Sequence, residues 1–246
     1  MIEAFFLTDG GPDLLVTYHP PSGAFSDEIT VVCPPFFGEC QRTQLSLREL
    51  AISLAAAGQH VVRFDYRGTG DSFGDAPSLD AWSEDLERVI AEARDLSGCT
   101  RVNVAAVRAA TLLLPIWMSG AQSMGRVAVW DPVWHGRRYL EEYFAYRASS
   151  NFRNRWLSAA DRKATGGELL GFPFPESLAE SIEASDYRDW TPPVDIAAIY
   201  TEQPPADAPA INAKQIRFKC RWGTFSDDIL MPGPVLEELR ECLIKH

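Results

Sequence analysis

The 246-residue chain is predicted to fold as one α/β domain, a mostly parallel central sheet with helices on both faces and a small helical insertion. Three observations lead there. Apolar runs of strand length alternate with longer stretches of helical period, the pattern of a parallel sheet covered on both sides. The hydrophobic fraction of 46% and the aromatic fraction of 11% suffice for one substantial core. A single long segment, 136–187, carries no strand pattern and interrupts the alternation.

Taken in order, 4–7 and 14–18 flank Asp9-Gly10-Gly11-Pro12-Asp13 and read as a hairpin at a sheet edge. Residues 28–33 form a buried strand stopped by Pro34-Pro35. A helix is expected over 43–57, with Gly58 as its stop, then a strand over 60–64. Helix 79–95, strand 101–105, helix 109–118 and strand 126–130 continue the alternation. Beyond the insertion come strands 196–200 and 215–220 and a helix over 233–245, with Pro234 near its start. The domain thus spans 1–246, with 1–135 and 188–246 as core and 136–187 as a lid-like insertion.

The balance of charge excludes some roles. A formal net charge of −11 and a pI near 4.8 repel phosphate backbones and anionic lipid surfaces, so neither nucleic-acid binding nor membrane insertion is expected. Five cysteines (Cys33, Cys40, Cys99, Cys220 and Cys242) lack any CxxC pair, so no metal site, cofactor or disulfide framework is expected. Without an N-terminal basic and apolar leader or a long apolar run, a cytoplasmic protein is expected.

Three motifs narrow the fold. Cys33-Pro34-Pro35-Phe36-Phe37-Gly38-Glu39 leaves a strand; Asp65-Tyr66-Arg67-Gly68-Thr69-Gly70-Asp71-Ser72 makes a glycine turn after the next; Asp131-Pro132-Val133-Trp134-His135-Gly136 leads into the insertion. In this order and spacing they resemble the α/β-hydrolase superfamily. More narrowly, they resemble a serine-aminopeptidase-like bacterial branch of hydrolases associated with exosortase systems. The resemblance covers 1–145 well and the rest loosely. It implies the α/β-hydrolase fold, a helical lid, and acyl or ester compounds as ligands in place of peptides. The glycine turn lacks the lysine and spacing of a phosphate loop and reads as a tight turn.

The decisive stretch is Val104-Ala105-Ala106-Val107-Arg108-Ala109-Ala110. A G-x-S-x-G elbow places its nucleophile on a strained strand-to-helix turn between small residues. Here Ala106 and Ala110 take the glycine positions and Arg108 the nucleophile position. A guanidinium stays protonated and cannot attack a carbonyl. With two alanines in place of glycines, a relaxed elbow is expected. A triad would also need an acid and then a histidine in the loop after the last strand. Residues 221–228 hold no histidine; of His19, His60, His135 and His246, only His135 falls near the cleft mouth. Asp131 and Glu202 are the candidate acids, and Asp131 is an alternative partner for Arg108.

Three readings follow. The first is a degenerate hydrolase that keeps a pocket lined by Phe36, Phe37, Glu39, Arg108, Asp131 and His135 for a small acyl, ester or anionic ligand. The second is an esterase, thioesterase or acyltransferase whose nucleophile is Cys33, Ser72 or Ser123, or a water activated by Glu39 or Asp131. The third is a partner-binding scaffold in a biosynthetic pathway, docking through Trp134, Tyr143, Phe144, Phe152 and Trp156. A homodimer is compatible with each.

Overall fold

The computed structural model describes residues 1–23, 26–120, 123–153, 167–169, 171–222 and 228–244. Ala121, Gln122, Trp156, loop residues 223–227 and His246 lie outside the described residues, as does the side chain of Phe152.

Eight strands form one sheet: β1 (Glu3–Leu7), β2 (Leu14–His19), β3 (Glu28–Cys33), β4 (His60–Phe64), β5 (Arg101–Val107), β6 (Met124–Trp130), β9 (Ile196–Tyr200) and β10 (Asn212–Gln215). Their spatial order is β1-β2-β4-β3-β5-β6-β9-β10. β1 and β2 pair antiparallel, as does β2 with β4, and every other neighbour is parallel. The hairpin therefore caps one edge of a parallel sheet, as its short loop requires.

Both faces are covered. Along β3, Val31 belongs to one buried apolar cluster and its neighbour Val32 to the other, the period-two signature of a strand buried on both sides. One cluster includes residues of α2 (Leu79–Ser97) and α3 (Leu114–Met118); the other includes residues of α1 (Gly38–Ala56) and α6 (Gly233–Ile244). Helix α2 shows how local sequence sets the ends. The Ser78 side chain accepts from the Ala81 N–H at 3.2 Å, and Gly98 closes the helix in the left-handed region at φ 71°.

Between β6 and β9 the insertion folds as α4 (Gly136–Arg153), a two-residue ladder of β7 (Glu168–Leu169) with β8 (Phe172–Pro173), and α5 (Glu176–Ala184). That ladder, and an isolated bridge between His135 and Asp186, amend the expectation of a strand-free segment.

Two other elements depart from expectation. Helix α1 begins at Gly38, ahead of the expected Thr43, with no side-chain cap to announce it. The last strand lies at 212–215 and not 215–220; its four residues are all exposed, so no apolar pattern marked it. The apolar residues after it still bond the sheet edge, with the Ile216 N–H donating to the Tyr200 carbonyl at 2.8 Å.

The glycine turn is structural, as read. A Cβ at Gly70, where φ is 52°, would stand 2.1 Å from the Asp65 carboxylate, and one at Gly68 would stand 2.7 Å from the Ala76 nitrogen. Arg67 ties the turn to α2, donating from its backbone N–H and its Nε to Asp85 at 2.8 Å each.

Candidate functional site

Strand β5 ends at Val107, and the chain turns at Arg108 into a 3₁₀ segment (Arg108–Leu113) that leads to α3. Arg108 sits at φ 53°, a left-handed conformation that costs a residue with a Cβ about 1–2 kcal/mol. The elbow is therefore strained and not relaxed, contrary to expectation. Ala106 and Ala110 are fully buried and leave room for the sharp bend. The Thr111 hydroxyl pins it, lying 2.7 Å from the Arg108 carbonyl and 2.8 Å from that of Val133. Phe37 (φ 53°) and Asp131 (φ 43°) are also left-handed. Three strained non-glycine residues thus gather at the carboxyl ends of β3, β5 and β6.

The Arg108 side chain, 11% exposed, is held on every side. Its Nε donates to Glu39 Oε1 at 3.0 Å and its terminal nitrogens reach Glu142 at 3.3 Å and the Asp131 carbonyl at 3.5 Å. Its Cζ stands 5.2 Å from the centroid of the Trp222 ring and 5.7 Å from that of Tyr139. Burial alone would lower the guanidinium pKa, but Glu39 and Glu142 outweigh it and hold it above its ordinary value. The group is a permanent cation.

Glu39 is the counter-charge. It is 2% exposed, in the first turn of α1, where the helix N-terminus favours a carboxylate. Burial pushes its pKa up, and Arg108 and a 3.3 Å hydrogen bond from the Tyr139 hydroxyl oppose that. The expected ion pair between Arg108 and the Asp131 carboxylate is not made. Asp131 instead accepts from the Thr201 N–H at 2.6 Å, the Thr201 hydroxyl, and the Trp222 indole N–H at 2.6 Å. A carboxylate with these donors is already satisfied and has no reason to turn toward the guanidinium.

Trp222 is the residue that sequence reasoning missed. It lies beyond the last strand, where a triad would carry histidine. Its ring N–H meets the acid while its face meets the residue on the elbow, the two contacts an imidazole would make. An indole nitrogen donates only and cannot accept a proton, so this arrangement provides no general base. The one available signal was an aromatic in the histidine loop, Arg221-Trp222-Gly223, directly before a glycine.

The other candidates fall into two groups. Phe36 and Phe37 are buried in an aromatic cluster with Tyr66, Trp82, Tyr143 and Phe174. His135 is half-buried on the rim, its Nδ1 accepting from the Arg138 N–H at 3.3 Å. Glu202 is exposed, directly after Thr201 at the end of β9.

The alternative nucleophiles have structural surroundings. Cys33 is buried and its thiol is pushed up to about 12 by burial, so no thiolate forms at neutral pH. The Ser72 hydroxyl donates to the Asp65 carbonyl at 2.7 Å and accepts from the Leu15 N–H at 2.8 Å, closing the turn. Ser123 precedes β6, at the opposite end of the sheet from Arg108. His19 ends β2 and is buried.

An open cleft of about 80 Å³ lies beside Arg108, lined by Trp134, His135, Tyr139 and Glu142 and rimmed by Arg138 and Arg188. Among the described residues, no three His, Cys, Asp or Glu side chains converge as a metal site would require, and no helix is long and apolar enough to cross a membrane.

No protein-family model matches the sequence, and no curated protein matches it. Solved structures do match. A serine hydrolase without a lid from Xanthomonas campestris superposes with a TM-score of 0.58 at 16% identity, covering 98% of this chain and 91% of its own. A serine hydrolase homologue from Coxiella burnetii gives 0.55 at 15%, covering 99% and 96%. A hydrolase from Pseudomonas aeruginosa gives 0.55 at 15%, covering 87% and 89%. With the strand order and the elbow geometry, these likenesses establish that the chain has the α/β-hydrolase fold.

Proposed function

We propose that the chain is a non-hydrolytic protein of α/β-hydrolase fold that keeps a cleft for a small acyl, ester-type or anionic ligand. The observation that supports this best is the 3.0 Å contact between Arg108 and Glu39 at the summit of the elbow. A nucleophile must stand free at that point; here a cation is clamped there by a buried carboxylate and two aromatic rings. The indole of Trp222 supports the same reading, because it binds Asp131 without offering a base.

The ligand's place follows from what remains open. Arg108 already serves two carboxylates, so an anionic headgroup meets the rim guanidinium groups of Arg138 and Arg188, now shared with Asp207. An acyl portion lies along Trp134 and Tyr139. The experiment has two arms. A fluorophosphonate probe and p-nitrophenyl butyrate should give neither adduct nor turnover, and butyrate should raise Tm in the wild type but not in Arg138→Ala/Arg188→Ala. Covalent labelling refutes the non-hydrolytic part; an unmoved Tm across short acyl acids refutes the ligand part.

A further inference from the structure

Arg63 and Asp65 lie two apart on β4 and its end, so both side chains leave the same face of the sheet, their Cα atoms about 7 Å apart. That face is the one α1 covers, and the two charges border a second cleft of about 130 Å³. This cleft shares no lining residue with the one beside Arg108.

Among the described residues, neither charge has an ion-pair partner within 4.0 Å. Among the described residues, Arg63 makes a single side-chain hydrogen bond, from Nε to His19 Nε2 at 3.1 Å, and no ion pair. His19 is neutral, its pKa lowered to about 4 by burial and by the positive charges of Arg63 and Arg48, so it neutralises nothing. Among the described residues, the Asp65 carboxylate accepts one hydrogen bond, from the Asp71 N–H at 3.1 Å. Burial lowers the Arg63 pKa and raises that of Asp65, the signature of charges taken from water without compensation. Each feels the other's field, yet they stand beyond ion-pair distance. A half-buried cation and carboxylate that could neutralise each other and do not are costly to a fold unless something bridges them.

We infer that this cleft binds a small zwitterion of the α-amino-acid type, its carboxylate on the free fork of Arg63 and its ammonium on Asp65. The geometry suits both ends. The terminal nitrogens of Arg63 form the planar fork that takes a carboxylate in two parallel bonds, and Asp65 has lone pairs to spare for an ammonium. Val32 and Leu47 supply an apolar wall for an aliphatic side chain. The site is separate from the elbow and does not depend on the function proposed for it.

The test is calorimetric titration of the whole protein with leucine, with 4-methylpentanoate, which lacks the ammonium, and with 3-methylbutylamine, which lacks the carboxylate. Saturable leucine binding is expected, with each analogue at least tenfold weaker. Arg63→Gln and Asp65→Asn should each weaken leucine at least tenfold. Absence of saturable leucine binding overturns the inference. So does equal binding of 4-methylpentanoate, which would mark a plain anion site. The analogue series needs only the wild type, so a variant that fails to fold leaves the test intact.

Discussion

Replacing Arg108 by Met removes the charge and keeps most of the side chain's length. Glu39, 2% exposed, is then left with the Tyr139 hydroxyl as its side-chain partner. Stranding a buried ion in this way costs about 3–5 kcal/mol if the ion stays charged. Glu39 has a cheaper course, which is to take up a proton. At pH 7 that costs at most the span down to its ordinary value of 4.5, at about 1.36 kcal/mol per unit, or about 3.4 kcal/mol. At pH 5 the same course costs about 0.7 kcal/mol. The variant should therefore lose about 3 kcal/mol at pH 7 and under about 1 kcal/mol at pH 5.

The sign follows from the direction of the shift. Burial raises the folded-state pKa of Glu39, and Arg108, which opposes that rise, is gone. The folded variant then holds a proton that the unfolded chain releases. Its stability is full below about pH 4.5 and falls as pH rises through the folded value. Urea unfolding of both proteins at pH 5 and pH 7 measures the difference. A stability loss that is equal at the two pH values, or below about 1 kcal/mol at pH 7, would refute the reading of Arg108 and Glu39 as a buried ion pair.

Other outcomes follow from the same structure. Adding Glu39→Gln to Arg108→Met should restore most of the loss at pH 7, because the stranded charge is gone; urea midpoints of the single and double variants show it. Trp222→Phe removes one donor from Asp131, which is 6% exposed, and should cost about 1–2 kcal/mol by the same assay. Gly70→Ala forces a Cβ against the Asp65 carboxylate at a positive φ and should lower Tm by several degrees in a thermal melt. Cys33, with its thiol near 12, should resist iodoacetamide at pH 8 in the native protein and react only in denaturant, as peptide mass spectrometry would read out.

Much of this molecule is legible in its sequence, because local signals carry it. The alternating apolar runs of β3 to β6 and the caps of α2 declare themselves, and Arg108 stands at a position whose role is set by the residues on either side. What was not legible depends on the third dimension. Asp131 was the partner expected for Arg108; its carboxylate is taken instead by donors on Thr201 and Trp222, 70 and 91 residues away in the chain, and Glu39 pairs with Arg108. The strain at Arg108 was misjudged because alanine's Cβ argues for a relaxed backbone, whereas Thr111 and the fully buried turn hold the bend. Strand β10 escaped because an edge strand of exposed Asn, Ala, Lys and Gln has no apolar face to repeat. Phe36 and Phe37 pointed to a pocket wall by position alone; their interlocking with Trp82 and Tyr143 shows only in the packing.

The most direct measurement is intact-mass analysis of the pure protein after exposure to a fluorophosphonate probe in excess. The expected spectrum holds the unmodified chain alone, since a clamped guanidinium crowns the elbow where a nucleophile would stand. A stoichiometric adduct, abolished by replacing one serine or cysteine, would contradict the claim that hydrolysis has no nucleophile here.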